Sequence, residues 1–342
     1  MRIIAEAPCR VDLAGGTLDI WPLYLFHPGA VTVNFAINRF TRCTIETLDL
    51  PKMDPPEIRL HSSDLKVAET YRSLADLDQA IRPRLPLAVH LLRFFRPRIG
   101  LAMQTDSESP AGAGIAGSSA LMIATASALN RFTGAGHGLE KIREIAQNVE
   151  ARIIRVPTGV QDYYPALYGG VSAIELGAGG VRRVAIPVDL DDFNLRIVLC
   201  YTGAPRNSGI NNWEVTKAYI NGDRKVQRNF AHIASVASSM RSAVEKADWS
   251  EAGRLLREDW SHRRSNLPSI STPMIDSLIA RARRAGSLGG KVCGAGGGGC
   301  VFFLVERGAQ ERVARAIANG GAEILPVQVA SRGVTIRKGS KK

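Results

Sequence analysis

The sequence predicts a mixed α/β protein of two domains, or a single large α/β unit, and three observations lead there. Its 342 residues are about twice the usual length of one domain. Apolar residues at 45% and charged residues at 22% match an ordinary globular chain, which excludes a disordered, collagen-like or disulfide-scaffold protein. Segments of strand and helix period alternate along the chain, and an Asp-rich stretch from Pro187 to Asn194 divides them. The expected division is therefore 1–190, 191–337 and a basic tail 338–342.

In order, Arg2–Ile4, Arg10–Leu13, Ala30–Asn38 and Thr41–Thr47 read as four strands, followed by a turn-rich connection Leu48–Pro56. Leu87–Phe95 reads as a helix, and Gly100–Thr105 as a strand leading into an acidic, serine-rich turn. Ser118–Leu129 is a helix of small residues. Leu139–Ile154 is a second, with Ile142, Ile145, Ala146, Val149 and Ile153 at helical spacing. Val171–Leu176 and Val181–Ile186 form a hairpin across four residues, three of them glycine. Leu195–Tyr201 opens the second half as a strand, and helices follow near 224–246, 249–258 and 272–285. Strands return at Lys291–Cys293 and Cys300–Val305, then a helix at 309–318 and end strands near 323–329 and 333–337.

Several function classes recede at once. The net charge of +12 comes from 44 basic and 32 acidic residues, but the basic ones are dispersed and aromatics are only 6%. With no nucleic-acid motif, the clusters at Arg281–Arg284 and Lys338–Lys342 read as a solvated helix face and a chain end, and no nucleic-acid partner is expected. Five scattered cysteines without a CxxC pair read as buried thiols of a cytoplasmic protein. Pro110–Asn130 has no charge and is nearly long enough for a membrane span. Gly112, Gly114, Gly117, Ser118 and Ser119 at one end disqualify it, so no membrane association is expected.

The chemistry concentrates in two glycine-rich stretches and two acids. Gly112–Ser119 fits G-x-G-x-x-G, yet the acid a dinucleotide fold needs about 20 residues later falls on a helix, as Glu140. It also fits G-x-x-x-x-G-S-S, with Ser118 where a P-loop lysine stands. Glycines ahead of a helix N-terminus still suit a phosphate, and a serine there suits Mg²⁺; a plain glycine turn capped by Ser118 is the alternative. Gly294–Gly299 holds more glycine than a hairpin needs, so backbone or ligand must come close. Glu150 falls near the apolar face of its helix, where a carboxylate calls for a cation partner. Asp162 follows after the stop Pro157-Thr158-Gly159 and either returns to the same site or caps the next segment.

Residues Pro8–Asp19, Pro110–Ala120 and Lys291–Cys300 together resemble the three motifs of the GHMP superfamily of small-molecule kinases, the galactokinase, homoserine kinase, mevalonate kinase and phosphomevalonate kinase group. Thr158–Tyr164 resembles its catalytic aspartate loop, and Tyr201–Ser208 the opening of its second domain. The resemblance implies an α+β fold: an N-terminal domain like ribosomal protein S5 domain 2 and a ferredoxin-like C-terminal domain, with ATP bound between them. It implies that Pro110, Gly112, Ala113, Gly114, Ala116, Gly117, Ser118 and Ser119 wrap the triphosphate. Ser119, or else Ser118, would ligate Mg²⁺ with Glu150. Asp162 would take the proton of the attacking hydroxyl beside Arg10, and Gly16, Thr17, Asp19, Gly296, Gly297 and Gly298 would meet the substrate.

Within the superfamily, Ala14-Gly15-Gly16-Thr17-Leu18-Asp19 and Gly159-Val160-Gln161-Asp162 look most like D-glycero-D-manno-heptose 7-phosphate kinases and fucokinases. Leu18 ahead of Asp19, and Asn38, depart from that pattern. The function so implied is an ATP- and Mg²⁺-dependent kinase, monomer or homodimer, that phosphorylates the anomeric hydroxyl of a sugar or sugar phosphate. The alternatives are a galactose, fucose or uronic-acid 1-kinase, or a kinase-like sensor that binds sugar and ATP without catalysis.

Overall fold

The computed structural model describes residues 1–48, 56–205 and 208–339; most of the expected 48–56 connection and the last three residues lie outside them. The first half contains strands β1 (Arg2–Ala14), β2 (Val31–Thr47), β3 (Ile58–Ser62), β4 (Val67–Tyr71) and β5 (Leu101–Ser107), with helices α1 (Leu74–Gln79) and α2 (Pro86–Phe95) between β4 and β5. Helices α3 (Gly117–Thr133), α4 (Leu139–Ile154) and α5 (Tyr163–Tyr168) then precede the hairpin β6 (Val171–Gly177) and β7 (Gly180–Ala185). The second half runs α6 (Leu190–Asn194), β8 (Ile197–Tyr201), α7 (Ser208–Ile220), α8 (Arg224–Glu245), α9 (Trp249–Arg264), α10 (Pro273–Arg284), β9 (Ser287–Val292), β10 (Cys300–Val305), α11 (Gln310–Ala318), β11 (Glu323–Leu325) and β12 (Thr335–Gly339).

The four strands expected at the N-terminus are two long ones. Strand β1 runs through Pro8, which lacks an N–H, because the β1–β2 register shifts there: Pro8 faces Phe40 and Cys9 faces Ile37. The two halves of β2 serve different neighbours, Val31–Phe35 pairing with β6 and Thr41–Thr47 with β5. One sheet thus runs β12-β1-β2-β5-β3-β4, with the β6–β7 hairpin attached to β2. The other is antiparallel in the order β11-β8-β10-β9, and its β-α-β-β-α-β sequence of elements is the ferredoxin-like arrangement.

The division at 190/191 coincides with α6, but the far end of the second half does not stay there. Val329 bridges to Ile37, Asn38 Oδ1 accepts from the Gln328 N–H, and β12 pairs along β1 from Glu6 to Arg2. The unusual Asn38 thus pins the returning chain. Lys338 and Gly339, expected in a free basic tail, are strand residues opposite Ile3 and Arg2; the strand's backbone bonds outweigh its polar composition. Apolar packing continues across the halves, with Phe35 of β2 edge-on to Phe193 at 5.0 Å and to Phe302 of β10 at 5.5 Å.

The uncharged stretch 110–130 is mostly α3, buried between the first sheet and α4. No helix among the described residues is long and apolar enough to cross a membrane. All five cysteines are buried.

Candidate active site

The site assembles where β1, the loop ahead of α3, the loop ahead of α5 and the C-terminal domain converge. Gly112, Gly114 and Ala116 of the first loop all have left-handed φ angles, 68°, 78° and 60°. Alternating such residues coil the backbone so that it enters α3 at Gly117, where a Cβ would lie 2.7 Å from the Ser109 Cβ. The carbonyls of this loop are committed elsewhere. Ala113 O accepts from Cys300 N at 2.7 Å, Gly114 O from Arg10 Nη1 at 2.8 Å, and Ile115 O from Arg10 N at 2.9 Å. The first N–H groups of α3 have no acceptor within the helix and open on a cavity of about 550 Å³. That cavity is lined by Pro110, Gly112, Ala113, Gly114, Ala116, Gly117, Ser118 and Ser119, the whole set expected to hold phosphate.

Arg10 and Asp162, 152 residues apart, meet as expected. Arg10 Nε and Nη2 both reach Asp162 Oδ1, at 2.8 and 2.7 Å. Asp162 precedes α5 but makes no capping bond, so the alternative reading of it as a cap fails. Its Oδ2 has no protein partner among the described residues. Burial alone would lower the Arg10 pKa; Asp162 and Asp12 beside it reverse that and hold the guanidinium above its ordinary value.

Glu150 is buried on α4, yet its partners are not the cation expected. Its Oε2 accepts from Ser119 Oγ at 2.9 Å and from Tyr163 Oη at 2.5 Å. The hydroxyls hold the carboxylate without cancelling its charge, and burial raises its pKa. A carboxylate paired with a serine hydroxyl at a phosphate-type loop is an all-oxygen donor set that fits Mg²⁺, which takes one or two protein ligands and leaves the rest to phosphate and water.

A second chamber adjoins the first through Arg10, Ser119, Glu150 and Asp162 and is lined by Gly16, Thr17, Asp19, Thr158, Gln161 and Asn212. Thr17 is β-branched yet sits at φ 76°, a strained geometry typical of functional positions, and its Oγ1 donates to Asn212 Oδ1 at 3.3 Å. Asp19 accepts from the Gln161 N–H at 2.9 Å and leaves no room for a Cβ at Gly159. Burial, and then the nearby Asp162 charge, push its carboxyl up to about 7.

The second glycine stretch corrects an expectation. Gly294 and Ala295 line the second chamber, whereas Gly296, Gly297 and Gly298 pack against backbone at Ile270, Ser269 and Ala204. Gly299 presses on the first loop, where a Cβ would lie 2.6 Å from Ala113 O. The excess glycine therefore lets three strands of backbone close together, and those three residues do not wall the chamber.

An ionic cluster under the chamber escaped sequence reasoning. Asp12 lies 2.8 Å from Lys291 Nζ, 3.3 Å from Arg263 Nη1 and 3.8 Å from Arg10 Nη1. Lys291 Nζ also meets Asp259 Oδ2 at 2.6 Å, and Asp259 Oδ1 accepts from Gly15 N at 3.1 Å. Burial would raise Asp12; Lys291, Arg263 and Arg10 instead hold it well below the usual carboxylate range. The cluster joins β1 to α9 and β9 directly behind Arg10. Asp12 and Lys291 stood inside the quoted motifs, which was the one available signal; Asp259 and Arg263 carried none.

A third, apolar cavity opens beside Ser118 and Glu150, lined by Leu65, Leu85, Leu121, Met122 and Ile153. Glu150 borders all three chambers.

Comparison with known proteins agrees with this fold. The family model described as GHMP kinases N terminal domain matches residues 86–170, and that described as GHMP kinases C terminal matches residues 240–323. D-glycero-alpha-D-manno-heptose 7-phosphate kinase of Campylobacter jejuni is 26% identical, over 89% of each chain. Mevalonate kinase of Thermococcus gammatolerans is 25% identical over 99% of each. The crystal structure of a D-glycero-D-manno-heptose 1-phosphate kinase from Bacteroides thetaiotaomicron superposes with a TM-score of 0.78 at 23% identity, covering 99% of this chain and 100% of that one. Lactococcus lactis galactokinase, complexed with galactose, gives a TM-score of 0.80 at 18% identity, covering 98% and 95%. With both family models matched in order and the whole fold shared, this chain belongs to the GHMP kinases, a family of phosphotransferases.

Proposed function

We propose that the protein is an ATP- and Mg²⁺-dependent sugar kinase that converts the anomeric hydroxyl of a sugar, or of a sugar phosphate of the heptose 7-phosphate type, to a sugar 1-phosphate. One observation carries this reading: the Arg10–Asp162 pair lies on the boundary between the phosphate-type cavity and the polar chamber, with the Ser119–Glu150 pair beside it.

In this reading the loop from Pro110 to Ser119 and the start of α3 receive the triphosphate, and the helix dipole favours its charge. The apolar cavity, of about 260 Å³, takes the adenine. Ser119 and Glu150 would hold Mg²⁺, which when bound neutralises charge on the phosphate oxygens. Thr17, Asp19, Gln161 and Asn212 offer hydrogen-bonding groups to sugar hydroxyls. Asp162, its Oδ1 tied to Arg10, accepts the hydroxyl proton at Oδ2. Meanwhile the sugar oxygen bonds to the γ-phosphorus and the bond from that phosphorus to the ADP oxygen breaks. Arg10 stays beside the transferred group and offsets its charge.

A panel of free and phosphorylated sugars, assayed for ADP release with the product mapped by phosphorus NMR, tests the proposal. A phosphate on the anomeric oxygen supports it, and a phosphate on a primary alcohol refutes the anomeric part. Sugar and nucleotide binding without turnover on any member of the panel would assign the sensor role instead.

A further inference from the structure

Helices α9 and α10 both pack on β9 and leave between them a groove of about 510 Å³ that shares no lining residue with the three chambers around Glu150. The arginine run expected to be a solvated helix face forms one wall. Arg283 and Arg284 from α10 face Arg257, Trp260 and Arg264 from α9, and the only carboxylate lining the groove is Asp276. Asp276 is already shared between Arg264, at 3.5 Å, and Ser271 Oγ, at 2.8 Å. Neither the Arg283 nor the Arg284 side chain has a hydrogen bond or ion pair among the described residues. Arg257, held by the Leu288 carbonyl, is crowded enough that burial, and then the charges of Arg283 and Arg254, lower its pKa. Trp260 is buried, and its indole N–H has no acceptor among the described residues.

Four guanidinium groups against one carboxylate give a local charge of +3 that no other lining residue among those described compensates. We propose that this groove is a second anion site, separate from the kinase centre, that takes a compact phosphate-bearing metabolite. Guanidinium forks suit phosphate oxygens, and the volume is that of a small-molecule site. A nucleic-acid strand fits less well, because the one aromatic ring present is buried and offers no stacking face. The inference does not depend on the substrate proposed above.

Hydrogen exchange of the full chain with inorganic pyrophosphate, in the absence of Mg²⁺, tests it. Protection is expected at residues 257–264 and 276–284 in addition to any at 110–119. In R283E/R284E, and in the milder R283Q/R284Q, the groove's affinity should fall about tenfold or more as two charge-assisted contacts are lost, while protection at 110–119 is unchanged. Protection confined to 110–119 would overturn the proposal, as would groove protection that persists in both variants. Protection of the groove by a single-stranded RNA oligonucleotide and not by pyrophosphate would overturn it in favour of a nucleic-acid surface.

Discussion

Replacing Asp19 by asparagine separates what this residue does for binding from what it does to stability. Its carboxyl is held at about 7 against an ordinary 3.8. At 1.36 kcal/mol for each tenfold change in proton affinity, that corresponds to about 4 kcal/mol. Below about pH 3 the carboxyl is neutral whether folded or unfolded. Between pH 4 and pH 7 the folded protein keeps a proton that the unfolded chain releases, so stability falls as pH rises, and above pH 7 the full penalty applies. Asparagine carries no such penalty. Its Oδ1 can keep the Gln161 N–H, and its amide, replacing the oxygen that accepts from Gln161 Nε2 at 3.4 Å, gains an acceptor when the Gln161 side-chain amide turns over to present Oε1, which is buried without a partner. In urea unfolding, D19N should gain about 3 kcal/mol on the wild type between pH 4.5 and pH 8. At pH 8, where the folded carboxyl is ionised, the sugar KM should meanwhile rise on the order of ten- to a hundredfold, because a hydrogen bond to a charged acceptor is lost. A stability difference that is the same at both pH values would refute the argument.

Three other outcomes follow from the geometry. D162N should lower kcat by about a thousandfold while the Kd of a non-hydrolysable ATP analogue stays within a factor of two or so; an active variant would remove Asp162 from proton transfer. K291M should destabilise the protein by about 3–5 kcal/mol in urea unfolding, since Asp259 is left buried without its cation, and a loss below about 1 kcal/mol would contradict the cluster's role. G299A places a side chain at φ 78° and against Ala113 O, so it should raise the KM for ATP by about five- to a hundredfold, what 1–3 kcal/mol of strain implies, with the sugar KM unmoved.

The parts of the site legible in the sequence were those encoded locally. The glycine loop, Glu150 on the inner face of α4 and the turn returning Asp162 each follow from a periodicity or a turn signal within about a dozen residues. The opposite was true of Asp259 and Arg263, whose partners Gly15 and Asp12 lie 244 and 251 residues away and leave no periodic trace. Lys291 is fully buried, against the expectation for any lysine, and only its two carboxylates make that tenable. Strands β3 and β4 are five residues each, too short for alternation to register, and β4 exposes Ala68 and Thr70 while its charged Glu69 lies on the half-buried face. Helix α7 opens with Ser208, Gly209, Asn211 and Asn212, which disfavour helix, so the chain's contribution of Asn212 to the chamber was hidden as well.

The return of β12 to β1 gives the molecule an unusual resistance to being taken apart. A proteolytic nick in the segment 187–194 would cut the covalent connection but leave the later fragment's last strand woven into the earlier fragment's sheet. The halves would remain a hydrogen-bonded pair, with Arg10 still set against its partners.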